Sequence, residues 1–193
     1  MEKNRLEAFS DGVLAIIITI MILELKIPHS SDWAALGEVL PQLLGYILSF
    51  VFIGIYWVNH HHMLQIVRHV TGGIMWANLN LLFWLSLIPF ATGWMDENHF
   101  ATHTVVVYAT LLLLCGLAFT ILQGRICAVH ELTGPFSIAM QHLSRKGQIS
   151  TACYAASIPL AFWDTRVSCG LFILVAFIWF IPERSIEQAL NKD

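Results

Sequence analysis

The chain has 193 residues, 57% of them apolar and only 12% charged, with a mean hydropathy of +0.69, whereas a soluble domain carries roughly 25% charged residues. That composition excludes a water-soluble core, and a formal charge of -3 without any basic block excludes a reader of nucleic acid. At about 20 residues per crossing, the length accommodates roughly six membrane helices and no separate soluble domain.

Residues 1–193 are therefore expected to form a single transmembrane domain of the all-α integral membrane class. Apolar length marks six spans in chain order: Leu6 to Ile27, Leu36 to Val58, Ile74 to Trp94, Thr104 to Leu122, Ile149 to Trp163, and Val167 to Ile181. The first follows Lys3 and Arg5 as a signal peptide does. Asp11 interrupts its start, however, and no A-x-A site closes it, so it is expected to stay as the first helix. The last two spans are short, and only Asp164, Thr165 and Arg166 separate them, which predicts a tight helical hairpin. Pro28, the Gly72-Gly73 pair and Gly134-Pro135 punctuate the connections, and Pro182 is expected to close the sixth span before a short polar helix.

Positive residues stay on the cytoplasmic side of a membrane. Six crossings place the N-terminus, the second and fourth loops and the C-terminus together, and that side holds Lys3, Arg5, Arg68, Arg125, Arg145, Lys146, Arg184 and Lys192. Only Lys26 and Arg166 fall on the other, so the expected location is a multi-pass position in the cell membrane with both termini cytoplasmic. Cys115, Cys127, Cys153 and Cys169 lie singly within or beside apolar runs, and they read as small buried apolar residues.

The first span has two surfaces. At about 100° per residue, Phe9, Gly12, Ile16, Ile20, Leu23 and Ile27 fall within about 40° of one line, with Thr19 at its edge. Asp11 and Ser10 point roughly 140° and 120° away from Ile16. A carboxylate at membrane depth needs donors, and the next two spans offer them at the same cytoplasmic level. Trp57 with His60 or His61 ends the second span, and Trp76, Asn78 and Asn80 begin the third. The bland reading is a hydrogen-bond lock holding the first three helices together, and indole and amide groups suit it better than they suit a relay.

His60, His61, His62 and His69 invite a metal site, but adjacent histidines on a helix diverge and no carboxylate or cysteine joins them at ligand spacing, so no metal is expected. No G-x-S-x-G, H-E-x-x-H or phosphate-binding loop is present, so an enzyme is not expected and neither is a cofactor. Asp96 and Glu97 read as a solvated turn in a short outer loop. The filter sequence T-V-G-Y-G is missing too, so a pore must select by other means.

Arg5-x-x-x-Phe9-Ser10-Asp11 at the head of the first helix, with Trp57, His60 or His61, and Asn78 or Asn80 on the next two, resembles the endosomal and lysosomal transmembrane potassium channel family in its single-repeat prokaryotic branch. The resemblance implies a homotetramer of six-helix subunits in the lipid bilayer, with four copies of the first helix lining the path and no re-entrant filter loop. It also implies K+ as the permeant ion. The family's constriction residue follows the signature aspartate by five positions, which carries over to Ile16, with further layers at Ile20 and Leu23 and a polar ring at Thr19.

The expectation is thus a passive potassium-selective channel narrowed by a ring of Ile16, with Asp11 structural. The alternative is a proton-conducting or proton-coupled transporter in which Asp11 and the histidines form a relay. A membrane scaffold is disfavoured, because packing seams in bilayers favour small residues at four-residue spacing and this stripe is Ile and Leu.

Overall fold

The computed structural model describes residues 2–130 and 135–180, and within them every regular element is a helix. In chain order these are α1 (Lys3–Leu23), α2 (Trp33–Gln65), α3 (Gly72–Ser86), α4 (Ile88–Glu97), α5 (Thr102–Val129), α6 (Pro135–Leu160) and α7 (Thr165–Phe180). α1, α2, the joined α3–α4 and α5 are each long and apolar enough to cross a membrane, and with α6 and the shorter apolar α7 they make six helical segments. The chain is an all-α integral membrane protein.

Helices α2 and α5 run on past the expected spans to Gln65 and Val129, and the other departures have local causes. The third span breaks at Leu87 because Pro89 has no N–H to give to the Leu85 carbonyl and its ring crowds that carbonyl, so α4 starts afresh with proline in its first turn. α1 stops at Leu23 with Glu24 as its C-cap, which leaves Ile27 off the helical stripe. α6 starts well before Ile149. Its first half carries Arg145 and Lys146, which lower hydropathy without breaking a helix, and it ends at Leu160 in a turn over 161–164. Pro182, Ile181 and the polar helix expected after them lie outside the described residues.

α5 is the inner strut of the bundle, packed between α3 and α6 and also touching α4 and α7. Val105, Tyr108, Leu112, Cys115, Leu122 and Ile126 along it are fully buried. The short α6–α7 pair is held by polar bonds that hydropathy does not register. Ser168 Oγ donates to the Ser157 carbonyl at 2.7 Å, Trp179 Nε1 donates to Ser150 Oγ at 2.8 Å, and the Lys146 ammonium lies over the Trp179 ring. Asp164 starts α7 by accepting from the Arg166 N–H at 2.8 Å. Of the four cysteines only Cys115 is fully buried. Cys127 is exposed, because it faces outward from the last turns of α5.

Candidate functional site

α1 is buried along one side only. Leu6, Ser10, Leu14, Ile17 and Met21, spaced three or four apart, pack onto the subunit's own α2, α3 and α4. The other side carries Phe9, Ile16, Thr19, Ile20 and Leu23, all exposed, and Ile16 at 57% contrasts with its neighbour Ile17 at 3%. The Thr19 hydroxyl donates back to the Ile16 carbonyl at 2.9 Å, which ties this polar group to the helix and presents its oxygen outward as an acceptor.

Two hydrogen-bonded clusters hold the N-terminal half of α1. In the first, His60 Nε2 meets Asn78 Oδ1 at 2.6 Å, Asn78 Nδ2 donates to Ser10 Oγ at 3.0 Å, and Ser10 Oγ donates to the Leu6 carbonyl at 2.8 Å. Ser10, His60 and Asn78 are all buried, so three helices share one chain of bonds. With the Asn78 oxygen as acceptor, His60 carries its proton on Nε2 and leaves Nδ1 as a buried lone pair that no protein group reaches. The second cluster is more open: Trp57 Nε1 donates to Asp11 Oδ1 at 2.9 Å, with Trp57 46% exposed.

The structure thus divides what the sequence left open. Asp11 takes the indole, His60 joins Asn78 and Ser10, and His61 bonds elsewhere, through Nδ1 to Glu7 at 2.9 Å and Nε2 to Gln65 at 2.9 Å. Asn80 accepts from Trp84 at 3.2 Å one turn along its own helix, Trp76 is exposed, and Arg5 is exposed in the first turn of α1. Glu7 and Gln65 belong to this end of the bundle although nothing in the sequence singled them out; an acid one turn before Asp11, opposite a histidine run, is the only signal. Among the described residues no group of three or more His, Cys, Asp or Glu side chains comes together to hold a metal ion.

The opposite end of the bundle corrects the reading of Asp96 and Glu97 as a solvated turn. Both lie in the last turn of α4, but only Glu97 is exposed, paired with Lys26 at 2.7 Å. Asp96 turns inward and is 6% exposed, because α2 has glycine at position 45 and the carboxylate fits against the bare backbone there. Below it Ser49, Thr92 and Tyr108 form a buried hydroxyl chain, at 2.7 Å and 2.8 Å, that ties α2, α4 and α5 together. The last turns of α1, the first half of α2 and α4 line a half-open cavity of about 590 Å³ between them, walled by Ile16, Ile20, Glu24, Gln42 and Asp96.

Six helical segments, four of them long and apolar enough to span a membrane, locked by interhelical hydrogen bonds and with an unpacked apolar face on the first helix, define a multi-pass membrane protein that presents that helix outward from the subunit. The sequence profile described as "Endosomal/lysosomal potassium channel TMEM175" matches residues 5–89. A potassium channel of Chryseobacterium sp. (strain P1-3) is 48% identical over 193 residues, all of both chains. The crystal structure of a lysosomal potassium-selective channel TMEM175 homolog from Chamaesiphon minutus superposes with a TM-score of 0.81 at 27% identity, covering 95% of this chain and 98% of that one. The endosomal/lysosomal proton channel TMEM175 of Mus musculus is 36% identical over 103 residues, 47% of this chain and 21% of its own length. The chain belongs to the TMEM175 family. It is a membrane cation channel, not an enzyme.

Proposed function

We propose that the chain forms a homotetrameric, potassium-selective channel in the cell membrane, with termini in the cytoplasm and four α1 helices lining the path. The observation that carries this reading is the division of α1: Ile17 buried and Ile16 open, on a helix whose polar residues are tied into its own bundle. The names of the bacterial relatives supply the ion, and the weight of basic residues on one side supplies the orientation. No cofactor is needed; K+ is the permeant species.

In this mechanism selection is by dehydration. A ring of Ile16 side chains offers no ligands in place of an ion's water, and potassium holds its water less tightly than sodium, so the constriction costs it less. Ile20 and Leu23 extend the apolar lining, and Thr19 oxygens form a polar ring beside the narrowest point. Ser10 and Asp11, with Trp57, His60 and Asn78, set the angle of α1, and His61 adds a tie through Glu7, while the signature's Arg5 and Phe9 stay on the exposed surface of the subunit. Asn80 steadies the third crossing instead.

The test is the reversal potential under potassium against sodium in proteoliposomes or patches. Ile16→Asn supplies amide groups that hold water and ions, so conductance should rise and discrimination should fall, whereas Ile17→Asn, about 100° around the helix, should disturb packing alone. An Ile16→Asn channel with unchanged conductance and selectivity removes this residue from the path. Proton conduction is the second reading, favoured by the buried lone pair of His60 and by the name of the mouse relative. Proton flux that dominates with potassium clamped decides for it.

A further inference from the structure

The hydroxyl chain beneath Asp96 has no hydrogen to spare. Thr92 donates to the Ile88 carbonyl at 2.8 Å, so in its 2.7 Å bond with Ser49 it is the acceptor; Ser49 then accepts from Tyr108 at 2.8 Å. All three protons are committed. One turn further along, Asp96 Oδ1 is buried and no protein donor reaches it. The same holds for Oε1 of Gln42, which lies three residues before Gly45 on the α2 face that receives Asp96. Lys26, the basic residue of this cavity, is engaged with Glu97 on the exposed rim. Buried acceptor oxygens without protein donors are completed by water, by a proton on the carboxyl group or by a cation, of which a cation is the one that offsets a buried carboxylate's charge.

We propose that this cavity is a binding site for a partly hydrated monovalent cation, held by the Asp96 carboxylate and the Gln42 carboxamide oxygen, beside the far half of the ion path. Hard cations take oxygen ligands, and the two buried acceptors, one carboxylate and one neutral amide, suit a monovalent ion better than calcium, whose sites use several carboxylates; of the other acids on this wall Glu24 is exposed and Glu97 is paired with Lys26. A volume of about 590 Å³ leaves room for most of the hydration shell. Ile16 and Ile20 form part of the same wall, so an ion held here stands next to the apolar constriction, and it raises the local supply of the ion that enters it. The site deepens the channel reading and rests on it for its purpose, though not for its detection.

The full-length protein in detergent is titrated with potassium chloride against N-methylglucamine chloride at constant ionic strength, and the unfolding midpoint is followed. Potassium should raise the wild-type midpoint saturably, and Asp96→Asn and Gln42→Leu should each weaken that dependence tenfold or more. In bilayers the same variants should lose conductance several-fold at limiting potassium and converge on the wild type at saturation. Equal potassium dependence in wild type and both variants overturns the site. So does a wild type indifferent to potassium whose Asp96→Asn form is at least as stable, since that marks a neutral buried carboxylic acid. Should Asp96→Asn fail to fold, Gln42→Leu decides in the same way. The titration needs no conduction, so it can succeed while the Ile16 selectivity test fails, and the reverse.

Discussion

The two ends of the bundle treat their acidic side chains in opposite ways. At the end that holds the N-terminus, Ser10, His60 and Asn78 bond in one chain across three helices and Asp11 has the Trp57 indole, although His60 Nδ1 and Gln65 Oε1 are buried there without a protein donor. At the far end, the Ser49–Thr92–Tyr108 chain is complete, but Asp96 one turn beyond it on α4 and Gln42 about two turns beyond it on α2 retain acceptors that no protein donor reaches. A side-chain network that links three helices stiffens the backbone that carries it, while a buried carboxylate without a protein donor is completed by water, a proton or a cation. The closed cluster sits where α1 has to be fixed in angle. The open one sits beside the far half of the proposed path.

The largest expected effect tests the closed cluster. Asn78→Leu removes the acceptor of His60 and the donor of Ser10 together, stranding the His60 Nε2–H in a dry site. We expect a loss of about 1–3 kcal/mol for each group left unpaired, read as a lower unfolding midpoint in detergent. Bonds between membrane helices average about 0.6 kcal/mol because the unfolded state also finds partners, which puts the outcome at the lower end of that range. An Asn78→Leu protein with wild-type stability would mean that α1 is held by apolar packing alone.

The next test is aimed at the open cluster. A Cβ at residue 45 would overlap the Asp96 carboxylate, so Gly45→Ala must displace it. Forcing a methyl group into a packed site costs about 1–3 kcal/mol. If the clash is with Asp96, adding Asp96→Ala should restore most of the loss, and the two substitutions will be non-additive by about 1 kcal/mol or more. Additive losses would place the strain elsewhere in α2.

Asp96 also shows where sequence reading stops. The six crossings, the two faces of α1 and the donors gathered around its head are all local in origin, since they follow from apolar length and from the 3.6-residue period. The break at Leu87 is local too, since Pro89 announces it. The burial of Asp96 depends on glycine at position 45, distant in sequence, and no spacing rule links the two. The partition of the histidines is non-local as well: His60 and His61 are adjacent, and only the placement of α3 and α1 sends one to Asn78 and the other to Glu7. The start of α6 was hidden differently, because Arg145 and Lys146 read as a loop in a hydropathy profile although they are good helix formers.

The smallest expected effect separates the two halves of the closed end. Ser10 is fully buried and Asp11 is not, and the indole that serves Asp11 is 46% exposed in the subunit. Water or headgroups can therefore replace part of what Trp57 donates, and Asp11→Ala should cost about 0.5–1.5 kcal/mol, the range of an ordinary net hydrogen bond. Asp11→Asn keeps an acceptor at the same place, so the N–H···O contact of 2.9 Å can persist and the loss should be smaller still. Trp57→Phe should resemble Asp11→Ala, and the double variant Trp57→Phe with Asp11→Ala should be no worse than either alone if the bond is all they share. The measurements are the unfolding midpoint and the oligomer peak on size exclusion. A lock predicts that stability and assembly fall together, in the order Ala, then Asn, then wild type. Variants that melt and assemble like the wild type but lose ion flux would show Asp11 acting on the ion path, and would reassign this end of α1 from lock to relay.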